Sequence, residues 1–82
     1  MWITYILECA DESYYTGVTN DLEARITAHN NGNGSKYTRS RLPVKLVWQA
    51  EQFSRSTAQM LEYKIKQLTR EQKEELIKGN LK

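Results

Sequence analysis

Cysteine, histidine and proline occur once each in this chain, and glycine only four times. A lone Cys9 excludes an intramolecular disulfide and any zinc site built from clustered cysteines; its ordinary reading is a small buried filler near a turn. His29, the only histidine, excludes a multi-histidine metal centre. No glycine-rich segment ends in Gly-Lys-Ser/Thr, and Asn31 to Gly34 does not open a helix, so the nucleotide-binding phosphate loops are absent. No serine sits in a nucleophile elbow, and no acid is spaced to orient His29 in a triad. There is neither a basic-then-apolar leader nor an apolar run approaching the roughly 20 residues of a spanning helix. These absences remove most common enzyme classes and predict a soluble, cytoplasmic protein with no membrane partner. At 82 residues there is room for one core, so residues 1–82 are expected to form one domain.

What is present is unevenly distributed. The net charge of +2 hides a segregation: residues 1–24 carry Glu8, Asp11, Glu12, Asp21 and Glu23 and no base, whereas residues 25–50 carry Arg25, Lys36, Arg39, Arg41 and Lys45 and no acid. Such a middle segment is either a loop kept soluble by charge or a positive surface that a phosphate backbone would find.

The chain opens on two runs of strand formers around the polar turn Asp11–Ser13. In the first, Ile3, Tyr5 and Leu7 alternate with Trp2, Thr4 and Ile6, so both faces are apolar and both need covering. Asn20 with Glu23 has the form of a capping box, opening a helix through Leu22, Ile26 and His29 that stops at Asn30-Asn31-Gly32-Asn33-Gly34. Residues 35–43 read as a basic loop closed by Pro43, and Val44–Ala50 as a third strand. Ser56 with Gln59 marks a second helix with the stripe Ala58, Leu61, Ile65 and Leu68; Thr69 with Gln72 marks a third, short one. The order β-β-α-β-α-α predicts an α+β fold, a three-stranded antiparallel sheet flanked by helices.

Five residues stand out as able to do chemistry. Tyr5 and Tyr15 lie on the paired strands, Arg25 and His29 share a helix face four residues apart, and Glu62 flanks the stripe of the second helix. Each alone has a plain structural reading: a strand aromatic for Tyr15, ion pairs Arg25–Asp21 and Glu62–Lys66 across a helical turn, and a cation at a helix C-terminus for His29. In order and spacing, however, Tyr5, Tyr15-Thr16-Gly17, Arg25, His29 and Glu62 resemble the GIY-YIG endonuclease superfamily. The likeness covers nearly the whole chain. Lys36-Tyr37-Thr38-Arg39, Arg41-Leu42-Pro43-Val44 and Glu62-Tyr63-Lys64-Ile65-Lys66 are similar to its small stand-alone bacterial (YhbQ-like) members. The first motif, Ile3-Thr4-Tyr5, keeps only its tyrosine; the second has Thr16 in place of isoleucine; and Asn80 is the one candidate for the late asparagine of many members.

The resemblance implies phosphodiester hydrolysis of nucleic acid, DNA ahead of RNA. It implies Tyr5, Tyr15, Arg25, His29 and Glu62 as catalytic residues, and Glu62 as ligand to a single Mg²⁺ or Mn²⁺ ion. Arg25 supplies a permanently ionised fork for phosphate oxygens, and one carboxylate with waters and substrate suits such an ion. A free phenol titrates near 10, so a tyrosine base needs neighbouring cations or a metal, whereas His29 is the alternative base. Lys36, Tyr37, Arg39, Arg41 and Lys45 are assigned to backbone contact, which positions a strand without reading its sequence. A non-cleaving nucleic-acid-binding module of the same fold is the alternative.

Overall fold

A computed structural model describes residues 1–79. Strands β1 (Trp2–Glu8), β2 (Tyr14–Thr19) and β3 (Lys45–Gln52) form one antiparallel sheet in the order β2-β1-β3, so the first strand is central. The helices are α1 (Leu22–Asn30), α2 (Lys36–Arg39), α3 (Arg55–Lys66) and α4 (Arg70–Ile77). This is the expected architecture with one addition, the single turn α2 inside the basic segment read as loop. Ser35 makes it helical by accepting the Thr38 N–H, and the Thr38 side chain is fully buried. Asn80 lies outside the described residues. No described helix is long and apolar enough to cross a membrane.

The two-faced pattern of β1 sets the layers. Tyr5 and Leu7 point to a core with Cys9 and Val44, against which Leu22 and Ile26 of α1 pack together with Leu42 and Leu46. The opposite face presents Thr4 and Ile6, both buried, to α3. There the Thr4 hydroxyl donates to the Ala58 carbonyl at 2.9 Å, satisfying a buried polar group between helix and sheet. Ala58 and Ile65 of the expected stripe are buried, while Leu61 and Leu68 are half-buried.

Start signals fell near, not always on, the expected residue. Asp21 rather than Asn20 caps α1, because its backbone N–H is held by the Thr19 hydroxyl and its carboxylate accepts from Ala24. Ser54 with Thr57 forms the capping box of α3, two residues before the Ser56 pair. Thr69 and Gln72 form theirs as expected. In the hairpin, Asp11 accepts from the Ser13 backbone and hydroxyl, and Glu12 takes the left-handed conformation at φ 68°. Cys9 is a buried filler whose thiol is pushed up in pKa by burial.

Candidate active site

The edge strand β2 carries Gly17 directly opposite Tyr5. Without a side chain there, the Tyr5 ring lies flat over the strand; a Cβ on Gly17 would sit 2.5 Å from the phenol oxygen and 2.6 Å from Cζ. Around this point a polar cleft of about 220 Å³ bends over the edge of the sheet. Tyr5 comes from β1, Tyr15 and Gly17 from β2, Arg25 from α1 and Glu62 from α3; all line it, with Trp2, Arg55 and Gln59 on the α3 side. Four of the five residues singled out from the sequence thus converge on one cavity although they belong to four elements.

The fifth, His29, is placed differently. It is 0% exposed and does not line the cleft. Its Nε2 is 3.1 Å from the Tyr5 hydroxyl and its Nδ1 is 2.9 Å from the Thr38 hydroxyl, while the Tyr15 ring meets it edge-on at 5.2 Å. Burial, and then the Arg25 guanidinium, hold its pKa below the usual histidine value. His29 is therefore neither the cation at a helix end nor a base open to solvent water; it is a neutral hub fixing Tyr5 from behind. Tyr5 is 1% exposed, and burial raises its pKa despite the opposing pull of Arg25, with Tyr15 and Glu62 adding to the rise. The protonated phenol is favoured, so Tyr5 holds a position in the floor more readily than it takes a proton.

Arg25 does not pair with Asp21. It donates to the Gly34 carbonyl at 3.0 Å, which aims the guanidinium past the loop and into the cleft. Glu62 does pair with Lys66, 3.2 Å away, and its side chain keeps 25% of its surface. Among the described residues no three histidine, cysteine or carboxylate groups gather as a ready-made metal cage. The donor set fits a cation held by one carboxylate, its waters and a substrate phosphate; Lys66 engages one oxygen of that carboxylate, and the ion would have to share or displace it.

Two of the residues assigned to nucleic acid are engaged elsewhere. The Arg41 guanidinium pairs with Asp11 at 3.0 Å, donates to the Tyr37 carbonyl at 2.7 Å and lies 4.0 Å over the Tyr37 ring. Lys45 pairs with Glu8 at 3.3 Å. Lys36 and Arg39 are exposed on α2 with no ion pair among the described residues. Tyr37 is 39% exposed and stacks with Tyr15 at 6.0 Å.

Three supporting residues lie outside the five singled out from the sequence. Gly34, taken for a helix stop, leaves the space the His29 ring fills, since a Cβ there would run into the imidazole. Thr38 holds His29 Nδ1. Asn30 donates to the Val44 carbonyl and accepts the Val44 N–H, 3.2 and 2.8 Å, tying the end of α1 to the start of β3. Asn30 and Gly34 were hinted at only by the density of asparagine and glycine, a composition that loops use for many purposes, and Thr38 only by its place in the Lys36–Arg39 motif.

The family model of the GIY-YIG catalytic domain matches residues 1–75. This chain belongs to the GIY-YIG family. Similar proteins include a UPF0213 protein of Clostridium perfringens, 62% identical over 73 residues that span 89% of this chain and 78% of the relative. Another, from Halobacterium salinarum, is 51% identical over 72 residues, 88% of this chain and 94% of that one. Among solved structures, the solution NMR structure of a UPF0213 protein of Bacillus halodurans superposes with a TM-score of 0.61 at 46% identity, covering 95% of this chain and 84% of the other. A protein of E. faecalis gives 0.63 at 42% identity, covering 94% and 82%. In this GIY-YIG domain the tyrosine of each name-giving motif faces the cleft, while the glycine of the second makes room for the tyrosine of the first.

Proposed function

We propose that this GIY-YIG domain is a divalent-metal-dependent endonuclease that hydrolyses phosphodiester bonds in DNA with weak sequence preference. The observation that carries the reading is the convergence of Tyr5, Tyr15, Arg25 and Glu62 on one polar cleft. Hydrolysis requires a proton to leave the attacking water, negative charge to be neutralised on the phosphate, and the departing oxygen to be stabilised. Arg25, steered by Gly34, binds the phosphate oxygens with its planar fork of N–H donors. Glu62 would hold one Mg²⁺ or Mn²⁺ ion, and the chemistry that ion would supply is positive charge to offset that of the phosphate. Tyr15, half-buried and in the cleft wall, is the phenol with access to water; having first given up its own proton to solvent, favoured by the positive charge of Arg25 across the cleft, its phenolate takes the proton of the attacking water. The hydrogen bond between the Tyr5 hydroxyl and His29 Nε2 fixes where the Tyr5 oxygen meets the cleft beside Tyr15. His29 is a positioning residue in this scheme.

The test is a panel of single-stranded, duplex and branched DNA and RNA with and without Mg²⁺, using the parent and Glu62→Gln. Magnesium-dependent cleavage of DNA, lost in Glu62→Gln with oligonucleotide binding retained, is the expected result. Binding without cleavage under every metal condition would make the chain the non-cleaving module of the same fold.

A further inference from the structure

Next to the cleft, and sharing Tyr15 with it, lies a second groove of about 250 Å³ lined by Tyr14, Tyr15, Thr16, Tyr37, Lys66 and Lys73. Among the described residues, every polar side chain in that wall can donate a hydrogen bond and no carboxylate lines it. Lys66 joins the two cavities: its ammonium is 3.2 Å from Glu62 in the first while its chain lines the second. A lysine in the last turn of α3 has an ordinary use in facing the helix's free carbonyls. Lys73, in the middle of α4, has no such use, and it has no ion-pair partner among the described residues. Farther out the charge reverses. Glu74, Glu8 and Glu12 act on Tyr14, and Arg70, which lies 4.7 Å over the Tyr14 ring, is taken up by Glu74 at 3.5 Å. The donor-rich stretch is therefore short, enough for one or two anionic groups.

We infer that this groove is a phosphate subsite for the nucleotide adjoining the bond held over Arg25, contacted by Lys66 and Lys73 and by the phenols of Tyr14 and Tyr37. The inference rests on the nucleic-acid reading above and adds to it a direction: the bound strand runs from the Arg25 cleft past Tyr15 toward α4. Lysine and tyrosine are both common phosphate donors that position a strand without selecting its bases. Because the two cavities meet at one tyrosine, the ligand is a single polynucleotide strand with phosphates on both sides of Tyr15.

Anisotropy of a labelled single-stranded oligonucleotide of about 12 nucleotides in EDTA, where binding is read without cleavage, tests this by the salt dependence of affinity. One lost phosphate contact lowers the slope of log affinity against log salt by about 0.7. Lys73→Gln is expected to show that change with a several-fold weaker affinity at low salt, and Lys73→Arg to restore the parental slope. Lys64→Gln removes an equal charge from α3 where it lines cavities on the other side of the helix, and should leave the slope unchanged. Equal slopes for Lys73→Gln and Lys64→Gln, with the parent binding normally, would overturn the subsite while leaving the endonuclease reading intact. A parent that fails to bind any oligonucleotide would overturn both.

Discussion

Adding one methyl group at Gly17 isolates the contact on which the cleft floor depends. The new Cβ would lie 2.5 Å from the Tyr5 oxygen and 2.6 Å from Cζ, with Cε2 at 3.1 Å. Ordinary carbon contacts begin near ~3.5 Å, so the overlap is about 1 Å. The ring has little room to yield, since it is 1% exposed and its hydroxyl is held by His29 at 3.1 Å. Overpacking of this kind costs about 1–3 kcal/mol. Gly17 does not adopt a left-handed φ, so alanine also stiffens the unfolded chain, which offsets about 0.4–1 kcal/mol. The net expectation for Gly17→Ala is a loss of about 1–2 kcal/mol, or a Tm lowered by about 5–15 °C in a domain of this size. A double-mutant cycle read by urea denaturation checks the cause. In Tyr5→Phe, which keeps Cζ, most of the penalty should persist; in Tyr5→Leu, which removes the far end of the ring, Gly17→Ala should fall within about 0.5 kcal/mol of neutral. The same penalty in the leucine background as in the parent would refute the steric reasoning.

Tyr15→Phe should lower the cleavage rate by about 10²-fold or more with oligonucleotide affinity unchanged, as expected for loss of a general base; a rate within a few-fold of the parent removes Tyr15 from that role. Because burial and Arg25 depress the His29 pKa, the unfolded chain binds the proton first as pH falls. The His29 contribution is thus intact above about pH 6.5 and is lost on acidification from there, by at most about 1.4 kcal/mol per pH unit. Urea midpoints between pH 7 and 5 should show that decline in the parent and a flatter profile in His29→Gln. Asn30→Ala leaves the N–H and carbonyl of buried Val44 without their partner, and should cost about 1–3 kcal/mol by the same assay. Asn30→Asp, which keeps the acceptor for the N–H, should cost less.

The sheet was legible because β1 alternates apolar residues on both faces and the helices announce themselves by capping pairs; competing caps such as Ser54 and Ser56 moved the boundaries by a turn or less. The grouping of Tyr5, Tyr15, Arg25 and Glu62 was legible only through the family pattern, for nothing in the local sequence says that a residue on α3 reaches around the edge of β2. That His29 is buried was not legible, because burial is a property of what folds over a residue, here Thr38 and Gly34. Lys66 and Lys73 went unweighed as ligand groups, since the acids and bases of residues 51–82 nearly balance in composition and segregate only once α3 and α4 are folded. Arg41 and Lys45 show the converse, charges clustered in sequence that the fold spends on Asp11 and Glu8.

The amide of Asn30 grips Val44 at both backbone atoms, as a neighbouring strand would, although it sits at the end of a helix. Residues 31–43 therefore form an excursion whose two ends are fastened to each other independently of its contents. Lengthening the segment between Arg39 and Pro43 would add only a slowly growing entropy of closure. Within the excursion Gly34 and Thr38 are tied to Arg25 and His29, whereas Lys36 and Arg39 are exposed, so a lineage could exchange those two side chains and alter what the domain grasps while leaving the apparatus beneath them in place.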